Sequence, residues 1–130
     1  MPLVYLVIGL ALAQFWFFLF AVGRARGIYK VEAPATTGNE IFERYFRVQM
    51  NTLELLIIFV PSILLFGQYW GAYIAAALGL IYIVGRFVYF TSYVKDPKSR
   101  SMGYGLSAAP VMVLLAGAIF GAIRAAVLIL

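Results

Sequence analysis

The chain has 130 residues, 65% of them hydrophobic, with a mean hydropathy of +0.97 and a formal net charge of +5 from ten Lys/Arg against five Asp/Glu. Soluble domains run near roughly 45–50% apolar, and a chain this short has no interior large enough to hide the excess, so a water-soluble fold is excluded. Cysteine and histidine are both absent, which excludes disulfides, a thiolate nucleophile of the protein's own, sulfur-ligated metal and an imidazole base.

A spanning helix needs about 20 largely apolar residues. Four such segments and their connections use nearly all of residues 1–130, which predicts one all-α integral membrane domain, a four-helix bundle. The first span, 3–23, carries no charge. It lacks the basic start, short apolar core and small-residue cleavage site of a secretory signal, and is expected to be a retained anchor. A polar stretch follows, with Pro34, Thr36, Thr37 and Gly38 as loop residues. The second helix is predicted over 39–66, a turn over 67–71 and the third helix over 72–93. Lys95, Asp96, Pro97 and Lys98 then break the chain before a fourth span over 104–129. Pro61 and Pro110 fall inside spans, where they kink a helix without ending it. Gly117 and Gly121 form a small-xxx-small pair suited to close helix contact.

Charge sets the expected orientation. Arg24, Arg26, Lys30, Arg44, Arg47, Arg86, Lys95, Lys98 and Arg100 are nine of the ten basic residues, and all lie in or beside loops one and three. Those loops are expected in the cytoplasm, with both termini on the other side. Topology thus accounts for the basic balance, and no nucleic-acid partner is expected.

Two helical stripes carry the polar chemistry. Arg44, Arg47, Asn51 and Glu54 are spaced three, four and three, which is one face of the second helix. A carboxylate inside a span costs roughly 2.5–3.5 kcal/mol on insertion scales, so Glu54 needs a partner, a cavity or a ligand. One reading is an internal network in which Arg47 neutralises Glu54 across a packing face. The other is a site for a zwitterionic or anionic ligand, because guanidinium groups take carboxylates bidentately and Glu54 takes an ammonium. On the third helix Tyr82, Arg86, Tyr89 and Tyr93 follow at four, three and four. Tyrosines near an interface are ordinarily an aromatic belt, but Arg86 within the row points to an inward polar surface. Arg100 adds a cation at the same membrane surface. A guanidinium beside a thiol favours the thiolate, each pKa unit being worth about 1.36 kcal/mol, so thiolate chemistry is open to this chain when the substrate brings the sulfur.

The pattern T-T-G-x-x-x-F-E-R-x-x-R-x-Q-x-N-x-x-E (Thr36 to Glu54), then R-x-x-Y-F-x-x-Y (Arg86 to Tyr93), then Arg100 seven residues on resembles the membrane-associated proteins in eicosanoid and glutathione metabolism. These are the microsomal glutathione transferases and leukotriene C4 synthase. Order, spacing and the four-span layout extend the likeness over most of the chain. The resemblance implies that Arg47, Gln49, Asn51, Glu54, Tyr89 and Tyr93 contact glutathione, that Arg86 lines the same pocket, and that Arg26 reaches the peptide's carboxylate end. It implies that Arg100 stabilises the thiolate, and that the protein is a homotrimer with sites between subunits, which gives Gln49 a role although it lies off the Arg47–Glu54 stripe. Gly27 stands where the leukotriene-forming branch has a second arginine, and the segment from Ser101 to Pro110 matches that branch poorly.

The expected function is therefore a membrane glutathione transferase, with glutathione as co-substrate, no metal, and a hydrophobic electrophile arriving from membrane lipid. Reduction of lipid hydroperoxides is a second expected activity. A non-catalytic lipid-binding or scaffold member of the same family is the alternative, and Arg100 argues against it, because pure binding has no use for a thiolate stabiliser. A transporter needs a polar path across the whole membrane, and here the polar residues stop about halfway, at Glu54. The expected location is a bacterial cytoplasmic membrane, or the endoplasmic reticulum membrane in a eukaryotic cell.

Overall fold

A computed structural model describes all 130 residues. Four α-helices follow one another: α1 (Pro2–Tyr29), α2 (Glu40–Trp70), α3 (Ala72–Lys95) and α4 (Arg100–Ile129), with a single 3-10 turn at Pro97–Ser99 before α4. All four are long and apolar enough to cross a membrane. Most run beyond the limits expected from hydropathy: α1 continues past Gly23 to Tyr29, α2 past Phe66 to Trp70, and α4 starts at Arg100 instead of Tyr104. The reason is physical. Hydropathy marks where lipid ends, whereas a helix continues into water for as long as its backbone bonds and caps allow. At 1.5 Å per residue, α2 is roughly 46 Å long against a hydrocarbon core of about 30 Å.

Local chemistry fixes the ends. Lys30 closes α1 in the left-handed region (φ 57°), its N–H bonded to the Arg26 carbonyl. Asn39 caps α2, its Oδ1 accepting from the N–H groups of Ile41 and Phe42 at 2.9 Å each. Glu40 and Glu43 lie in the first turn of α2, where the helix dipole favours negative charge. The turn between α2 and α3 is Gly71 alone, at φ 103° and ψ 150°, a conformation that only glycine adopts without strain.

The α2–α3 hairpin is the centre of the bundle. Both α1 and α4 pack on it. The main core joins Val4, Val7 and Ala11 of α1 to Phe59 and Ile63 of α2, Tyr82 of α3 and Leu114 of α4. Phe59 and Tyr82 stack at 4.1 Å between ring centroids. Gln14, buried in α1, donates from Nε2 to the Ile83 carbonyl at 2.8 Å and ties α1 to α3. Near the other membrane face, Gly117 and Gly121 receive the rings of Phe66 and Tyr69 of the same chain, and Trp70 donates to the Gly117 carbonyl at 2.8 Å. The small-residue pair therefore makes an intrachain contact of α4 with α2. Neither Pro61 nor Pro110 interrupts its helix.

One crossing matters for everything below. A Cβ on Gly85 would come within 2.5 Å of the Ser107 backbone nitrogen, and one on Gly103 would run into the Tyr89 backbone. The antiparallel helices α3 and α4 thus touch backbone to backbone at two successive turns, and Arg86, Tyr89 and Ser107 meet there.

Candidate functional site

The crossing of α3 and α4 leaves Arg86 fully buried. Its Nη1 donates to Asn51 Oδ1 at 2.6 Å and to Thr52 Oγ1 at 3.2 Å, and its Nη2 donates to Ser107 Oγ at 2.6 Å. Ser107 passes its own proton to the Gly103 carbonyl at 2.7 Å. The guanidinium carbon lies 4.5 Å from the Tyr89 ring centroid, a cation–π distance. No carboxylate takes part, since the chain's one ion pair joins Arg44 to Glu40 at 3.6 Å. Arg86 therefore belongs to the interior of this chain, where the resemblance implied that it lines the pocket.

In front of this group, a cleft of about 470 Å³ opens between α2, α3 and the first turns of α4, lined by Arg47, Asn51, Tyr89, Arg100, Ser101, Tyr104 and Gly105. Arg47 and Arg100 are both exposed and have no hydrogen-bond or ion-pair partner in the chain. The start of α4 has no side-chain cap, so the positive end of its dipole adds to the field of the two guanidiniums. Tyr89 stacks on Tyr93 at 5.4 Å and lies 6.4 Å from Tyr104. Such a wall is built for an anion with hydrogen-bonding oxygens.

Arg47, Asn51, Tyr89 and Arg100 are brought together in this cleft, with Tyr93 stacked beside them and Arg86 behind. Three expected site residues lie elsewhere. Arg26 binds its own loop, donating to the Ala35 carbonyl at 2.7 Å and covering the Phe42 ring at 4.9 Å. Gln49 is half-buried, with its amide against the Met50 sulfur at 3.8 Å. Glu54 is exposed on the outer face of α2 and meets no cation. The internal Arg47–Glu54 pair considered from sequence is not formed. Arg44 also leaves the stripe: its Nη1 donates to the Val94 carbonyl at 3.1 Å, capping the end of α3. Tyr82 sits in the core against Phe59, away from the cleft.

Sequence reasoning missed Ser101 and Tyr104 on the cleft wall, and Thr52 and Ser107 behind it. The signal was present. Arg100, Ser101, Tyr104 and Gly105 follow the i, i+1, i+4, i+5 pattern of a helix face, once α4 is started at Arg100.

A four-helix integral membrane bundle with a guanidinium-lined cleft between three of its helices is the class that the fold and site define. Residues 3–120 match the MAPEG family, and the chain belongs to it. Among its relatives, an uncharacterized protein of Synechocystis is 43% identical over 114 residues, covering 88% of this chain and 83% of that protein. Human microsomal glutathione S-transferase 2 is 43% identical over 98 residues, 75% of this chain and 67% of the relative. Leukotriene C4 synthase of Cavia porcellus is 35% identical over 105 residues, 81% and 70% respectively.

Proposed function

We propose that the protein is a membrane glutathione transferase that conjugates glutathione to hydrophobic electrophiles and also reduces lipid hydroperoxides, a role in detoxification. The observation that carries this reading is the pair of unpaired guanidiniums, Arg47 and Arg100, on the wall of one cleft with Asn51 and Tyr89. Glutathione is a peptide with two carboxylates, one ammonium and one thiol. Arg47 takes a carboxylate, Asn51 and Tyr89 supply hydrogen bonds, and Arg100 with the start of α4 stabilises the sulfur as thiolate. An ordinary thiol with pKa near 8.5 is mostly protonated at neutral pH, so a fixed cation beside it supplies nucleophile without any base. The relatives named for glutathione transfer and leukotriene C4 synthesis support this reading.

The assembly is a homotrimer, the number coming from the family resemblance. Its physical motive is the set of residues that one chain leaves outside its own cleft. Glu54 is an exposed carboxylate in a spanning helix with no partner, and a neighbouring copy removes it from lipid. The same neighbour brings Arg26 and Gln49 to the cleft from across the interface, so that glutathione spans two chains, with Glu54 on its ammonium. Loops one and three, and hence the cleft mouth, face the cytoplasm, and the electrophile reaches the sulfur from the bilayer.

Calorimetric titration tests the site. Arg47→Ala and Glu54→Ala should each weaken glutathione binding by roughly 2–5 kcal/mol, because each leaves a desolvated ligand charge unpaired. Wild-type affinity in both variants removes glutathione from this cleft. Native mass spectrometry in mild detergent should give three copies, and monomer or dimer alone contradicts the shared site.

A further inference from the structure

Asn51 is the one residue that both hydrogen-bonds the buried guanidinium and lines the cleft. Its carboxamide is a flat group with an acceptor oxygen on one side and a two-proton donor on the other, so fixing one end fixes the other. The oxygen is taken by Arg86 Nη1 at 2.6 Å, and Asn51 makes no other side-chain hydrogen bond within the chain. Its nitrogen has no partner in the chain and is not buried, and Asn51 is on the cleft wall. Turning the amide over would set donor against donor and strip a buried charged group of an acceptor, which is costlier than losing a hydrogen bond between neutral groups. Arg86 has no latitude to follow such a turn. It is held at the same time by Thr52 and Ser107 and lies over Tyr89, where Gly85 and Gly103 bring the two helices into backbone contact.

We propose that Arg86 is a positioning residue: it locks the Asn51 carboxamide with the nitrogen outward, so that at this point the cleft offers a donor only and selects a carboxylate or peptide carbonyl oxygen of the ligand. The identity of that ligand as glutathione rests on the function proposed above, whereas the Arg86–Asn51 lock does not. A second consequence follows from the missing carboxylate. The buried charge of Arg86 is met by neutral oxygens alone, so an acid at position 51 gains an ion pair inside the bundle while turning the outward donor into a negatively charged acceptor.

The test is Asn51→Asp, a near-isosteric change, read by two measurements on the full-length protein in detergent. The melting temperature should hold or rise. Glutathione affinity should fall by at least about 10-fold, the loss of one charge-assisted hydrogen bond with like-charge repulsion added. A residue with a merely structural role would move both readings downward together. A melting temperature lower by several degrees shows that the new carboxylate does not meet Arg86 and overturns the proposal, and so does unchanged glutathione affinity. If the wild-type protein binds no glutathione, the functional reading fails while the melting temperature still decides the lock. Arg86→Lys gives an independent check, because an ammonium keeps the charge but lacks the planar fork that reaches Asn51 and Ser107 together. With Asn51 released, KM for glutathione should rise severalfold with a much smaller change in kcat, the pattern of lost uniform binding. A kcat that falls with KM unchanged contradicts it.

Discussion

Arg86 and the pair Arg47 and Arg100 are the same residue type at one end of the bundle, yet their surroundings differ at every point. Arg86 is fully buried, with three oxygens and an aromatic ring of its own chain around it. Arg47 and Arg100 are exposed on a cleft wall and meet no partner in the chain. A cation whose two Nη groups are tied to its own chain holds its shape, and a cation left without any partner is available to a ligand. Asn51 joins the two regions, with its oxygen committed inward and its nitrogen outward.

Breaking the inner region should have the largest effect. Gly103→Leu drives a side chain into the Tyr89 backbone, and no rotamer avoids it. The α3–α4 contact must open and Arg86 must lose Ser107, so stability should drop by about 3 kcal/mol or more, read by thermal unfolding in detergent. A variant that melts with the wild type would mean that the backbone contact does not hold the inner region together.

Changing the wall should leave the fold alone and act on chemistry. Arg100→Ala should lower the rate with a model electrophile such as chlorodinitrobenzene by about 10- to 1,000-fold, the cost of removing one electrostatic stabiliser. Glutathione affinity and melting temperature should change far less. The sign of the pH dependence follows from the charge. A nearby cation lowers the thiol pKa, so the wild-type rate should already be on its plateau at neutral pH. The Arg100→Ala rate should climb as pH rises through the ordinary thiol range near about 8.5. A variant with full activity at neutral pH would place thiolate stabilisation on other groups, Tyr93 first.

Much of this was legible in the sequence. Apolar run length gave four helices, and the three-four-three spacing put Arg47 and Asn51 on one face. The sequence could not separate arginines that share a stripe. Arg44 lies one turn before Arg47, but the last carbonyls of α3 end at its level and take it as a cap. Arg26 is drawn to the Ala35 carbonyl in a loop whose path no periodicity encodes. Arg86 sank behind Asn51 because Gly85 and Gly103 let α4 approach α3, and a glycine inside an apolar span says little until its neighbour is known. Ser101 and Tyr104 were lost to a helix start set by hydropathy instead of by backbone bonding.

The central claim is that the cleft ionises glutathione without a base. Stopped-flow ultraviolet absorbance, with the protein mixed against glutathione at neutral pH and no electrophile present, reads that event directly. Thiolate absorbance should rise with glutathione concentration and saturate in the wild type, and the amplitude should collapse in Arg100→Ala while calorimetry still records binding. Glutathione bound by the wild type with no thiolate signal would contradict the account.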